Sequence, residues 1–195
     1  MQYTTAALCL ISATLSLAAP TTKLSARDAF SGFIVPSVIK THDISSNANT
    51  ATGHISTIRA ANNVETSTLY QIPVPADLAG KTCALVIRAS AYDNVEGTQE
   101  MDVFNNLFAD LNNLPSGNQR NQQLARVQFN AASGFYDFDT VGFANPKIQS
   151  FPCPAGTTLK WESVAVGTFD VNVIQQASYD VVGADAPNGL SIGYF

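Results

Sequence analysis

The chain has 195 residues, with ten Lys or Arg against fifteen Asp or Glu and a net charge of -5 at pH 7. No basic stripe exists to displace counterions from phosphate, which argues against nucleic acid as a partner, and the acidic balance argues equally against an anionic membrane surface. Charged residues make up 13% of the chain, low against a typical ~25%, and a single tryptophan, Trp161, excludes a multi-tryptophan sugar platform.

Met1 to Ala18 carries no charged side chain and has an apolar stretch from Ala6 to Leu17. Ser16 and Ala18 fit the −3 and −1 positions of a signal-peptidase site, so residues 1–18 are expected to be a secretory signal peptide. The stretch is too short for a membrane span. Residues 19–32 read as an exposed N-terminal segment. Export places the two remaining cysteines, Cys83 and Cys153, in an oxidising compartment. One structural disulfide is expected there, against the alternative of a redox or metal pair, because no CxxC spacing occurs.

Phe33 to Val38 is apolar but interrupted by Pro36, and is expected as an edge strand or its approach. Ser45 to Thr52 reads as a polar loop. Ile55 and Ile58 sit in a short Thr/Ser-rich run, and Glu65 to Ile72 alternates as a strand until Pro73 and Pro75. Asp77 and Gly80 mark a turn. Thr82 to Ala89 is the most apolar run and is expected as a central strand, with Cys83, Leu85 and Ile87 on one face and Val86 and Arg88 on the other. Met101 to Leu114 is ambiguous. Phe104, Leu107, Phe108 and Leu111 have helical spacing, but the Asn pairs 105–106 and 112–113 are poor helix formers. A strand at Met101 to Phe104 and a loop with one or two helical turns are expected, then a turn at Pro115–Asn118 and a mobile loop to Gln123.

Strands are expected again at Ala125 to Phe129 and Phe135 to Thr140. Pro152 and Pro154 place Cys153 in a rigid, extended corner. Thr158 to Val166 and Phe169 to Ile174, joined at Gly167-Thr168, carry a hairpin signal. Ala186 to Gly189 turns the chain into a last strand, Leu190 to Tyr194. The pattern predicts an all-β fold, a jelly-roll-like β-sandwich of about ten short antiparallel strands, forming one domain over residues 33–195.

Four groups could carry chemistry. Asp137 and Asp139 stand two apart on an expected strand and so share a face, as paired carboxylates of a glycosidase could; the simpler reading is a solvated strand face. Asp93, Asn94, Glu96, Glu100 and Asp102 concentrate oxygen ligands without the EF-hand spacing, and read as a solvated acidic loop. His42 and His54 have no zinc-motif spacing. Phe135, Tyr136, Phe138, Phe143 and Trp161 could form a ligand platform or fill a core, with core filling favoured. No catalytic residue, metal site or cofactor is expected from these.

The segments Ile72 to Val86 (IPVPADLAGKTCALV), Phe151 to Thr158 (FPCPAGTT) and Asn188 to Ile192 (NGLSI) together resemble the fungal family named for the C-terminal domain of a ubiquitin 3 binding protein. The likeness spans about Ile34 to Phe195. It implies a secreted or cell-wall-associated fungal protein with a β-sandwich-like domain and a disulfide between the two matched cysteines, and it carries over no active site. A ubiquitin-like partner does not suit an exported chain. This chain lacks a Ser/Thr-rich wall stalk, and residues Asn105 to Gln123 have no counterpart in the likeness. The resulting expectation is a secreted, non-catalytic structural or binding protein, extracellular or at the cell wall. Its partner would be a wall polysaccharide or another extracellular protein. The alternatives are a carbohydrate-binding module and, after it, a glycan-acting enzyme.

Overall fold

A computed structural model describes residues 30–59, 64–174 and 186–195, with backbone alone for 169–174. The expected leader and most of the lead-in lie outside them. Fourteen strands are present among the described residues: β1 Gly32–Ile34, β2 Val38–Asp43, β3 Asn49–Ala51, β4 His54–Arg59, β5 Thr66–Pro73, β6 Thr82–Arg88, β7 Asn94–Gly97, β8 Glu100–Asn106, β9 Arg120–Asn130, β10 Phe135–Phe138, β11 Phe151–Pro152, β12 Thr158–Val166, β13 Phe169–Ile174 and β14 Gly189–Tyr194. One 3-10 turn, Ala76–Leu78, separates β5 from β6.

The fold is all-β and antiparallel, as the sequence predicts. The strands hydrogen-bond in the order β1-β14-β6-β10-β9-β8-β12-β5-β4-β13-β7, with β2 and β3 beside β5 and β11 beside β6. The path curls, because β14, near one end, touches β4, near the other. Side chains on the concave side form the main core: Ile55, Tyr70, Ile72, Leu85, Ile87, Met101, Val103, Val127, Trp161, Leu190 and Ile192. The period-2 alternation of β5, β6 and β12 delivers these residues to one face. Cys83, Leu85 and Ile87 share the core face of β6 as predicted, and Ala84 and Val86 are buried on the other side. Trp161, 2% exposed, meets Phe151 edge-on at 6.2 Å between centroids.

Inside the curl, four hydroxyls satisfy one another. Thr57 Oγ1 lies 2.9 Å from both Thr68 Oγ1 and Ser163 Oγ, and Tyr70 Oη lies 2.8 Å from Ser163 Oγ. This chain lets β4, β5 and β12 pack where the sheet splits, since a buried hydroxyl without a partner costs ~1–3 kcal/mol. Burial pushes the Tyr70 phenol well above its usual range.

Cys83 and Cys153 form a disulfide with Cα atoms 5.0 Å apart. Register explains the meeting: Phe151 pairs with Cys83 across β11–β6, and the Cys153 N–H donates to Lys81 O at 2.9 Å.

Three expectations about connections are corrected. First, Met101 to Leu114 contains no helix; a single hydrogen-bonded turn, Leu114 N–H to Leu111 O at 3.2 Å, is all that forms there. β8 runs to Asn106, and residues 107–119 are irregular apart from the short bridge between Ala48 and Ser116. The helical spacing serves a different purpose: Phe108 and Leu111 bury against Leu69 on the outer face of β5. The Leu111 N–H donates to Gln71 Oε1 at 2.7 Å, and Lys40 Nζ donates to the carbonyls of Asn112 and Leu114 at 3.1 and 3.0 Å. Side chains thus satisfy backbone groups that a helix would satisfy internally. Second, the expected loop to Gln123 is the first part of β9, with Phe104 opposite Gln123 and Asn106 opposite Arg120. Third, β12 and β13 are consecutive but do not form a hairpin. β12 pairs β5 and β8, whereas β13 pairs β4 and β7. The Thr98 N–H takes the Thr168 carbonyl at 2.7 Å, which draws the turn toward the β7–β8 connection. The loop expected at Ser45 to Thr52 includes β3, and the acidic stretch after Asp93 includes β7.

Lys40→Met is expected to cost about 2 kcal/mol, the usual loss for two charge-assisted bonds to carbonyls, and to loosen residues 107–119 without unfolding the sheet. Faster hydrogen exchange at the Leu111 and Leu114 amides, with core amides of β5 unchanged, is the result to look for.

Candidate functional site

Two places on the molecule gather polar side chains that could act on a partner. The first lies under the 107–119 loop, on the outer face of β5, β12 and β8. Glu162, on β12, is fully buried there. Its carboxylate receives Arg120 Nε at 3.0 Å and Nη2 at 2.6 Å, Ser67 Oγ at 2.6 Å, and Asn118 Nδ2 at 3.0 Å. The Arg120 guanidinium also stacks over Phe104, 5.0 Å from the ring centroid. Gly117 and Gln119, with φ of 74° and 52°, turn the chain so that Asn118 and Arg120 both reach the acid. Burial alone would raise the Glu162 carboxyl, but the bonds from Arg120, Ser67 and Asn118 outweigh it and hold the group below the usual carboxylate range. Asn106 Nδ2 adds a fifth, longer contact at 3.4 Å, so both carboxylate oxygens are already engaged by the protein. The arrangement ties the loop, β9, β5 and β12 together.

The second place is a cleft of 250 Å³ lined by Phe33, Ile34, Val35, Pro73, Pro75, Asp77, Leu78 and Tyr194. It sits at the end of the curled sheet where β5 finishes at Pro73, β14 finishes at Tyr194 and β6 begins, since Tyr194 pairs with Cys83. The disulfide therefore braces the same end. Ile34 and Leu78 belong to the central core and form the inner wall, while Pro73, Pro75 and Asp77 are exposed. Gly32 stands opposite Tyr194 in the β1–β14 ladder, and a Cβ there would collide with the Tyr194 phenol. The missing side chain lets the tyrosine ring lie across β1. Neither the Asp77 carboxylate nor the Tyr194 hydroxyl has a hydrogen-bond or ion-pair partner among the described residues. Clefts with apolar walls and a few unspent polar groups are common ligand sites.

The candidates read from sequence fall elsewhere. Asp137 accepts a hydrogen bond from Asn130 Nδ2 at 2.8 Å. Asp139 lies beyond the end of β10, where its Oδ1 accepts the N–H groups of Val141 and Gly142, both at 2.9 Å. Those backbone bonds, with Arg126 nearby, hold Asp139 below the usual range. A general acid needs its proton kept near neutral pH, and this turn does the opposite.

Asp93 accepts from Ser90 and Asn188, and Asp102 pairs with Arg126 at 2.7 Å. No group of three or more His, Cys, Asp or Glu that could hold a metal occurs among the described residues. His42 is buried with Nδ1 2.7 Å from Asn49 Oδ1, and exposed His54 contacts Thr52. Trp161 and Tyr136 point into the core, where Tyr136 packs on Phe129 at 5.2 Å.

Sequence reasoning missed both gatherings. Glu162 alternates with Trp161 and Ser163 and so reads as solvated; nothing local announces the loop that covers it. Phe33, Asp77 and Tyr194 are far apart in sequence and meet only through the β1–β14 ladder and the turn after β5. No protein-family model, curated protein or solved structure was found to match the chain.

Proposed function

We propose that this is a secreted extracellular protein, released or loosely held at a fungal cell wall, with a structural or binding role and no catalytic one. The observation that supports the reading is the Cys83–Cys153 disulfide, a kind of bond that is common in exported proteins and rare in cytosolic ones. The apolar leader with its small-residue exit supports export, and the likeness to the fungal ubiquitin 3 binding protein C-terminal domain family supports the wall or its surroundings as the destination. Carbohydrate binding is the second reading, favoured by the open cleft with its rings, prolines and unspent carboxylate.

Fractionating a producing culture tests the first reading. The protein is expected in the medium or in a salt-extractable wall fraction; recovery only from the cytosol overturns it. Retention of the purified chain on insoluble wall polysaccharide tests the second, and passage through every such matrix removes it.

A further inference from the structure

We propose that the cleft between β1, the Ala76–Leu78 turn and Tyr194 binds a sugar unit bearing a protonated amine, a 2-amino-2-deoxyhexose. This deepens the carbohydrate-binding reading and rests on it. Charge and lining chemistry both favour such a ligand. The lining holds one acid, Asp77, and no Lys, Arg or His. That carboxylate is exposed and makes no bond within the described protein, unlike Asp43, Asp102, Asp110, Asp139 and Glu162, which are each committed to neighbours.

Two aromatic rings, Phe33 and Tyr194, lie in the same lining, and ring faces attract an ammonium electrostatically. Pro73, Pro75, Leu78 and Val35 supply apolar lining for the C–H face of a pyranose. The Tyr194 hydroxyl, also unspent, is free to hydrogen-bond a sugar hydroxyl. A volume of 250 Å³ accommodates a single pyranose and the start of its neighbour. A neutral hexose would use the walls and the phenol but leave Asp77 without a counter-charge. An N-acetylated one would put an uncharged amide against it.

The site is well founded mechanically. Its two inner residues are core residues, β14 is paired along its length with β6, and β6 is tied to the segment around β11 by register and by the disulfide from Cys83 to Cys153, just past that strand. The inner wall of Ile34 and Leu78 is held by packing, so the apolar floor of the cleft needs little ordering on binding.

The test is an isotope-edited NMR titration of the mature chain with a fully deacetylated glucosamine oligomer, its N-acetylated counterpart and a neutral glucan oligomer of equal length. Shifts at Phe33, Leu78 and Tyr194, strongest with the amine-bearing oligomer and weakened by salt, are the expected result. Asp77→Asn, an exposed substitution, should weaken that binding about two- to fivefold and bring the three oligomers closer together, as loss of one exposed ion pair does. Tyr194→Phe should weaken all three by a few-fold.

Equal binding of the three oligomers, or no response to Asp77→Asn, overturns the amine assignment while carbohydrate binding stands. Shifts that avoid the cleft overturn the site, and no binding of any oligomer overturns both site and ligand. None of these outcomes bears on export, which fractionation decides separately.

Discussion

Replacing both Cys83 and Cys153 by alanine is expected to lower the melting temperature by roughly 10 °C, from a loss of about 4 kcal/mol. The sequence separation of 70 sets the size of the effect. Crosslinking so long a loop removes much of the conformational freedom of the unfolded chain. The native structure is expected to persist, because both sulfurs are replaced by a small apolar group within a core that Trp161, Leu85 and Ile192 continue to fill. Thermal melts of the native and alanine forms check this, with reductant as a second route to the same state. A shift of a degree or two would mean that the bridge constrains little.

Arg120→Ala is expected to destabilise by about 3 kcal/mol, because it strands the Glu162 carboxylate in a buried site. The outer part of the arginine is solvated, which keeps the cost at the low end. Glu162→Gln should cost less than Arg120→Ala, since a neutral amide tolerates burial, and the double variant should cost less than the sum of the two. The pH dependence follows from the lowered Glu162 pKa. A carboxylate held below its unfolded value, near 4.5, adds stability that is fully present above that pH. The contribution disappears as pH falls through the lower folded value. Native protein should therefore lose stability below about pH 4.5 more steeply than Glu162→Gln. Parallel acid-unfolding curves for the two would remove the ion pair from the account.

The strand class was legible because alternation in the runs that form Thr66–Pro73, Thr82–Arg88 and Thr158–Val166 is a local signal, and in Thr82–Arg88 the expected inner residues Cys83, Leu85 and Ile87 do face the core. The disulfide was legible because, once residues 1–18 are read as a leader, two cysteines are left and they allow one pairing. Strand partnership was not. Gly167-Thr168 looks like a hairpin turn by itself, but β13 finds β4 and β7 through ladders that no short stretch of sequence encodes.

The 107–119 loop shows a related limit. Phe108 and Leu111 have helical spacing, and only the presence of Leu69, Gln71 and Lys40 on neighbouring strands makes an irregular path better satisfied than a helix. Glu162 reads as a surface acid for the same reason. The cleft residues were invisible together: Phe33, Asp77 and Tyr194 share no segment, period or motif, and their meeting is a product of the curl.

Mass spectrometry of the chain recovered from a producing culture decides whether it is exported and oxidised. Extracellular material starting at Ala19, with peptides containing Cys83 and Cys153 linked through their sulfurs, is the predicted finding. A full-length intracellular polypeptide on which both thiols take up alkylating reagent would contradict it.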